Sequence, residues 1–92
     1  MSIPNGYNIR RKFMDNYYRR IRDLREDKDL TQQQVSEHLG MKQSQYSRYE
    51  RGHRDIPTDV LIRLAFLYDT STDYLLGITD VMKPYARLTD RG

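Results

Sequence analysis

The chain contains no cysteine, which removes disulfide frameworks, zinc–thiolate sites and thiol nucleophiles together. It also lacks long apolar runs. A membrane span needs roughly 18 or more consecutive apolar residues, and Met1–Phe13 holds no apolar stretch of the kind a secretory signal requires. The expectation is a cytoplasmic protein with no membrane role. Histidine is scarce: His38 and His53 stand 15 residues apart, which is not a metal-ligand spacing, and neither lies at helical reach of Ser44 or Ser47. No glycine-rich phosphate loop is present. The reading is therefore of a chain that is not an enzyme, with no catalytic residues, no metal site and no cofactor.

What the chain does hold is charge. Lys and Arg outnumber Asp and Glu by 16 to 13, a weak excess that suggests an anionic partner. Its distribution is more telling. Met1–Leu30 carries 8 basic residues against 5 acidic, Thr31–Asp55 carries 4 against 3, and Ile56–Gly92 carries 4 against 5. All the positive excess thus lies in the first 55 residues. A solvated helical surface with no partner would explain the charge alone. With 37% hydrophobic residues, the 92-residue chain makes one domain around a small core.

Met1–Asn8, with Pro4 and Gly6, reads as an irregular arm. From Ile9 the apolar positions Ile9, Phe13, Tyr17, Ile21 and Leu24 keep helical spacing, so a first helix begins there or at Asp15 as N-cap, and ends before Leu30. Residues 1–14 are therefore either an arm or an extension of that helix. Thr31-Gln32-Gln33-Gln34 fits a capping box. It opens a second helix, about 32–39, with Val35 and Leu39 inward and Gly40 closing it. A third helix, about 42–51, stops at Gly52. Thr58 is the expected N-cap of a fourth, which Val60, Leu61, Leu64, Ala65, Leu67 and Tyr68 should make the most deeply buried element. Ser71 caps a short fifth helix with Tyr74, Leu75 and Leu76, closed by Gly77. Residues 78–92 read as a polar tail, loose or ordered by a partner. The fold class is all-α, with five short helices and no strand.

The third helix can be tested by its own geometry. With Gln43 as origin, Ser47, Arg51, Ser44 and Arg48 fall at roughly 40°, 80°, 100° and 140°, while Tyr49 and Tyr46 fall opposite, at roughly 240° and 300°. One arc thus presents an amide, two hydroxyls and two guanidiniums, without a carboxylate. Any surface helix has a polar outer face. A face that excludes carboxylates in a chain rich in them suits the DNA major groove, where Gln pairs with adenine, Arg with guanine, and Ser with either donor or acceptor edges.

Ile21-Arg22-Asp23-Leu24-Arg25, Leu30-Thr31-Gln32, Gly40, Ser47-Arg48-Tyr49-Glu50-Arg51-Gly52, Ile56-Pro57 and Asp73-Tyr74-Leu75-Leu76-Gly77 occur in register over 57 of the 92 residues. In these positions the chain resembles the phage-repressor/Cro-type (XRE family) helix-turn-helix proteins. The resemblance implies a five-helix, lambda-repressor-like DNA-binding domain over 15–77. It places Gln43, Ser44, Ser47 and Arg48 at base-contacting positions, and Gln32, Lys42, Tyr46, Arg51, His53 and Arg54 at backbone-contacting ones. Gln32 would also buttress Gln43. Arg25 and Glu50 match a partly buried ion pair, so Glu50 is structural. Two departures stand out: Lys42 occupies a position where the family commonly has Ser or Thr as N-cap, and Tyr46 one where it has an aliphatic residue.

The resemblance implies a transcriptional regulator of repressor type, binding double-stranded DNA as a homodimer. The alternative is a protein-interaction module that keeps the fold, such as an antitoxin or an anti-repressor target. A protein partner is open to it through the N-terminal arm or the C-terminal tail. Tyr17 and Tyr18 exceed what a short first helix requires, and pack on the tail or on a second subunit. Arg10, Arg11 and Lys12 form an arm along DNA in the other reading.

Overall fold

The computed structural model describes residues 19–86. The arm over 1–14, the helix start at Ile9 or Asp15, the placement of Tyr17 and Tyr18, and residues 87–92 all lie outside that span. Among the described residues there are five helices and no strand: α1 (Arg19–Asp27), α2 (Gln32–Leu39), α3 (Gln43–Glu50), α4 (Thr58–Leu67) and α5 (Thr72–Leu75). The chain therefore has the all-α, lambda-repressor-like architecture expected of it. No helix among the described residues is long and apolar enough to cross a membrane.

Local chemistry accounts for where the helices begin. At α2 the Thr31 hydroxyl accepts from the Gln34 amide at 3.1 Å, and the Gln34 side chain accepts from the Thr31 amide at 2.9 Å, completing the capping box. At α5 the Ser71 hydroxyl accepts from the Tyr74 amide at 2.9 Å. Lys42 precedes α3 in extended conformation and makes no side-chain cap, as an ammonium that can only donate must. Thr58 is not the N-cap of α4. That position belongs to Pro57, whose extended ψ of 148° delivers the chain into the helix one residue earlier and leaves Thr58 as the first helical residue.

All five helices stop in the same way. After α1, the Leu30 amide donates to the Arg25 carbonyl and the Asp29 amide to the Glu26 carbonyl, both at 3.0 Å. This pair of reversed bonds is the Schellman motif. It recurs at Gly40–Met41, Gly52–His53, Asp69–Thr70 and Gly77–Ile78. The turning residue is left-handed each time, with φ between 52° and 78°. Three are glycines, and the other two are aspartates, which tolerate that region better than most side chains.

The core is drawn from every helix: Ile21 and Leu24, Val35 and Leu39, Tyr46 and Tyr49, Val60, Leu64 and Ala65, and Leu75, joined by Ile56 and Tyr68 from the connections. α2 packs on α3, α4 on α5, and α1 spans both pairs. α4 is less enclosed than its sequence suggests. Val60, Leu64 and Ala65 are buried, but Leu61 and Leu67 are half-buried, and Ile62 and Phe66 on the outer side are 41% and 57% exposed.

The segment after Gly77 is not a loose tail but is anchored to the helices as far as Tyr85. The Thr70 hydroxyl donates to the Met82 carbonyl at 2.6 Å, and the Tyr85 hydroxyl to Asp73 at 2.8 Å. Arg20 stacks on the Tyr74 ring, 4.1 Å from its centroid, and donates to the Tyr74 carbonyl, the Thr79 carbonyl and Asp80. A polar composition concealed these anchors because most of the acceptors are main-chain carbonyls.

Candidate nucleic-acid interface

The orientation of α3 follows from its two tyrosines. Tyr46 is fully buried and Tyr49 is 4% exposed, so the helix turns those rings into the core. Gln43, Ser44, Arg48 and Arg51 are then exposed and Ser47 is half-buried, all on the outward side. The side chains of Ser44, Ser47 and Arg48 make no hydrogen bond among the described residues. Gln45 is exposed as well, but on a helical projection it falls near 200°, outside that arc and next to Tyr49. Lys42, His53 and Arg54 are exposed around the two ends of the helix.

Tyr46 is the correction. A fully buried ring reaches no phosphate, so it leaves the set of backbone-contacting residues. The helical projection places it inside, whereas the resemblance implies a backbone contact; burial of a large aromatic body decides for the former. Its hydroxyl and that of Tyr68 are both buried, and neither completes a hydrogen bond of normal geometry among the described residues. Burial raises the pKa of both phenols above their usual 10.0, that of Tyr68 to about 12, with the nearby Glu50 carboxylate adding to the effect.

Glu50 closes α3 and anchors it. Its carboxylate takes two bonds from Arg25, at 2.7 and 3.1 Å, with the carboxylate 2% and the guanidinium 13% exposed. Arg25 also donates to the Leu30 carbonyl at 2.8 Å, which ties the end of α1 into the same knot. Burial alone would push the Glu50 carboxyl up. The hydrogen bonds from Arg25 and Gln32 and the adjacent Tyr46 hydroxyl outweigh it, and the group lies below its usual 4.5. The Glu50 hydrogen bond likewise raises Arg25 against its own desolvation.

Gln32, the first residue of α2, connects this buried pair to the surface. Its Nε2 donates to Glu50 at 3.1 Å, and its Oε1 accepts from Gln43 Nε2 at 3.4 Å. The expected buttress of the first outward residue of α3 is thus in place, although the contact is long. The polar chain Arg25–Glu50–Gln32–Gln43 runs from the core to the exposed arc, and the carboxylate within it is buried and paired with Arg25. The surface left to a partner consists of hydrogen-bonding groups and cations.

Two short helices, the second presenting a polar arc and the first buttressing it, define a helix-turn-helix protein. The helix-turn-helix family matches residues 21–75, and the chain belongs to that family, in its XRE branch. Among curated relatives from Bacillus subtilis (strain 168), it is similar to the uncharacterized HTH-type transcriptional regulator YobD, 44% identical over 74% of this chain and 61% of the relative. It is also similar to the HTH-type transcriptional regulator ImmR, 42% identical over 71% of this chain and 51% of the relative. The HTH-type transcriptional regulator AnsR is 40% identical over 63% of this chain and 50% of the relative. The chain spans about half to three fifths of the length of these relatives. No solved structure matches it.

Proposed function

We propose that this chain binds double-stranded DNA sequence-specifically and regulates transcription from within the cytoplasm, as a homodimeric repressor rather than an enzyme. The observation that carries the reading is the outward arc of α3, where Gln43, Ser44 and Arg48 are exposed and the buried tyrosines fix their direction. Gln43, Ser44, Ser47 and Arg48 meet base edges in the major groove. Gln32, Lys42, Arg51, His53 and Arg54 meet phosphates and set the register. The DNA-binding unit is residues 15–77, and the segments on either side are open to a protein partner.

One module of this size offers few base contacts, which favours two copies on a two-fold-related operator with half-sites about 34 Å apart. Exposed apolar side chains at Ile62, Val81 and Met82 supply surface of the kind that self-association uses. The kinship with proteins named transcriptional regulators supports the regulatory role.

Selection of binding sites from random duplex DNA at two salt concentrations tests the proposal. It is expected to enrich a palindrome, with weaker recovery at the higher salt. Recovery of no duplex at either salt would instead favour a protein-interaction module built on the same fold.

A further inference from the structure

Three arginines converge on one groove beside the exposed arc. Arg22 and Arg25 of α1, Gln32 at the start of α2, and Glu50 and Arg51 at the end of α3 line a cavity of about 290 Å³. Its carboxylate is silent: Glu50 is 2% exposed and is held by Arg25 and Gln32. Arg25 is committed in turn to Glu50 and the Leu30 carbonyl. Arg22 and Arg51 differ from it. Both are exposed; Arg22 has a lone solvent-facing contact with Glu26 at 3.3 Å, and the Arg51 side chain makes no hydrogen bond among the described residues. The groove therefore offers two available guanidiniums over a neutralised floor.

We propose that this groove seats a phosphodiester of the DNA backbone, held by Arg22 and Arg51. The inference rests on the duplex-binding reading above and extends it to a residue of α1, outside the helix-turn-helix. Three features favour that occupant. The lining is polar and cationic, so the ligand is an anion and not an apolar molecule. Two planar guanidiniums match tetrahedral phosphate oxygens better than ammonium groups do. Arg51 follows Ser47 by four residues on the same side of α3, which makes the groove continuous with the arc that faces the bases. The exposed Arg22–Glu26 contact is weak enough for a phosphate to displace it.

The test titrates a duplex recovered by selection with wild type, Arg22→Ala, Arg22→Lys and Arg51→Ala over a salt series. Arg22→Ala is expected to lower affinity severalfold on specific and unrelated duplexes alike. It should reduce the slope of log K against log salt by about one unit and leave base preference unchanged. Arg22→Lys restores the slope but not the full affinity. Because Arg22 is on the surface, its variants melt as wild type does, which separates a lost contact from a lost fold. Wild-type affinity and slope in Arg22→Ala overturn the proposal while leaving duplex binding intact; failure of wild type to bind any duplex overturns both. A second arm follows backbone and guanidinium NMR signals with inorganic phosphate alone. Saturation there at millimolar phosphate, with no Arg22 effect on DNA, would make the groove a site for a free anion and also overturn the proposal.

Discussion

Two of the four arginines of helix α1, Arg20 and Arg25, stand five residues apart, and each ties a distant part of the chain back to the helix. Arg25 does so through a buried carboxylate, with both forks of the guanidinium engaged and the pair almost dry. Arg20 does so through an aromatic face, two main-chain carbonyls and Asp80, whose side chain is 97% exposed. The first clamp fixes α3, the helix that faces outward with the polar arc. The second fixes the segment after α5. They differ in what breaking them leaves behind: an unpaired buried charge in one case, a resolvated surface residue in the other.

That difference orders the expected effects. Glu50→Ala strands the Arg25 guanidinium and is expected to destabilise the fold by about 3–5 kcal/mol in denaturant melts. The double variant Arg25→Met/Glu50→Leu, which removes both charges, should recover most of that loss. A Glu50→Ala melt equal to wild type would show that the pair is not buried in solution.

The same clamp predicts a pH profile. Glu50 is held below its usual 4.5, so the stability it contributes is present above that pH and is lost as the pH falls through its lower folded-state value. Tyr68 is raised from 10.0 to about 12, so its contribution is present below pH 10 and is lost as the pH rises through about 12. Melting temperature against pH is expected to fall at both ends, and Tyr68→Phe should soften the alkaline limb. Because the Tyr68 hydroxyl has no hydrogen bond of normal geometry, Tyr68→Phe should also cost little at neutral pH. A profile with no alkaline limb would mean that these phenols are solvated.

Arg20→Ala is the next smaller step. It removes a partly exposed cation–π contact and its hydrogen bonds, and about 1–2 kcal/mol is expected in the same melts. Faster amide exchange should appear at Val81, whose amide donates within the released segment at 3.1 Å. Asp80→Asn is expected to leave the melt unchanged, since its partner keeps the ring and the carbonyls. An Asp80→Asn loss as large as that of Arg20→Ala would put the clamp in the ion pair instead.

The two clamps also show what could be read beforehand. Helix positions followed from side chains with a fixed local meaning: the Thr31–Gln34 capping box, Ser71, and glycines at 40, 52 and 77. Asp29 and Asp69 turn the chain just as those glycines do, but aspartate carries no comparable signal. The Arg25–Glu50 pair lies 25 residues apart with no local trace, and entered only through resemblance to a family. Arg20 had neither, because carbonyl acceptors are invisible in a sequence. Tyr46 shows periodicity and resemblance in conflict, with burial deciding for periodicity. The outward arc of α3 was legible because its test needed only the helical repeat and the nature of five side chains.

The most direct measurement of the central claim is base preference in Arg48→Ala against Arg54→Ala, using a selected duplex and its single-base-pair variants. Arg48→Ala is expected to lose about 1–3 kcal/mol of discrimination at one base pair. Arg54→Ala should weaken binding to every duplex and flatten the salt slope by about one unit. Equal losses of affinity with unchanged preference in both variants would contradict the assignment of base reading to the outward face of α3.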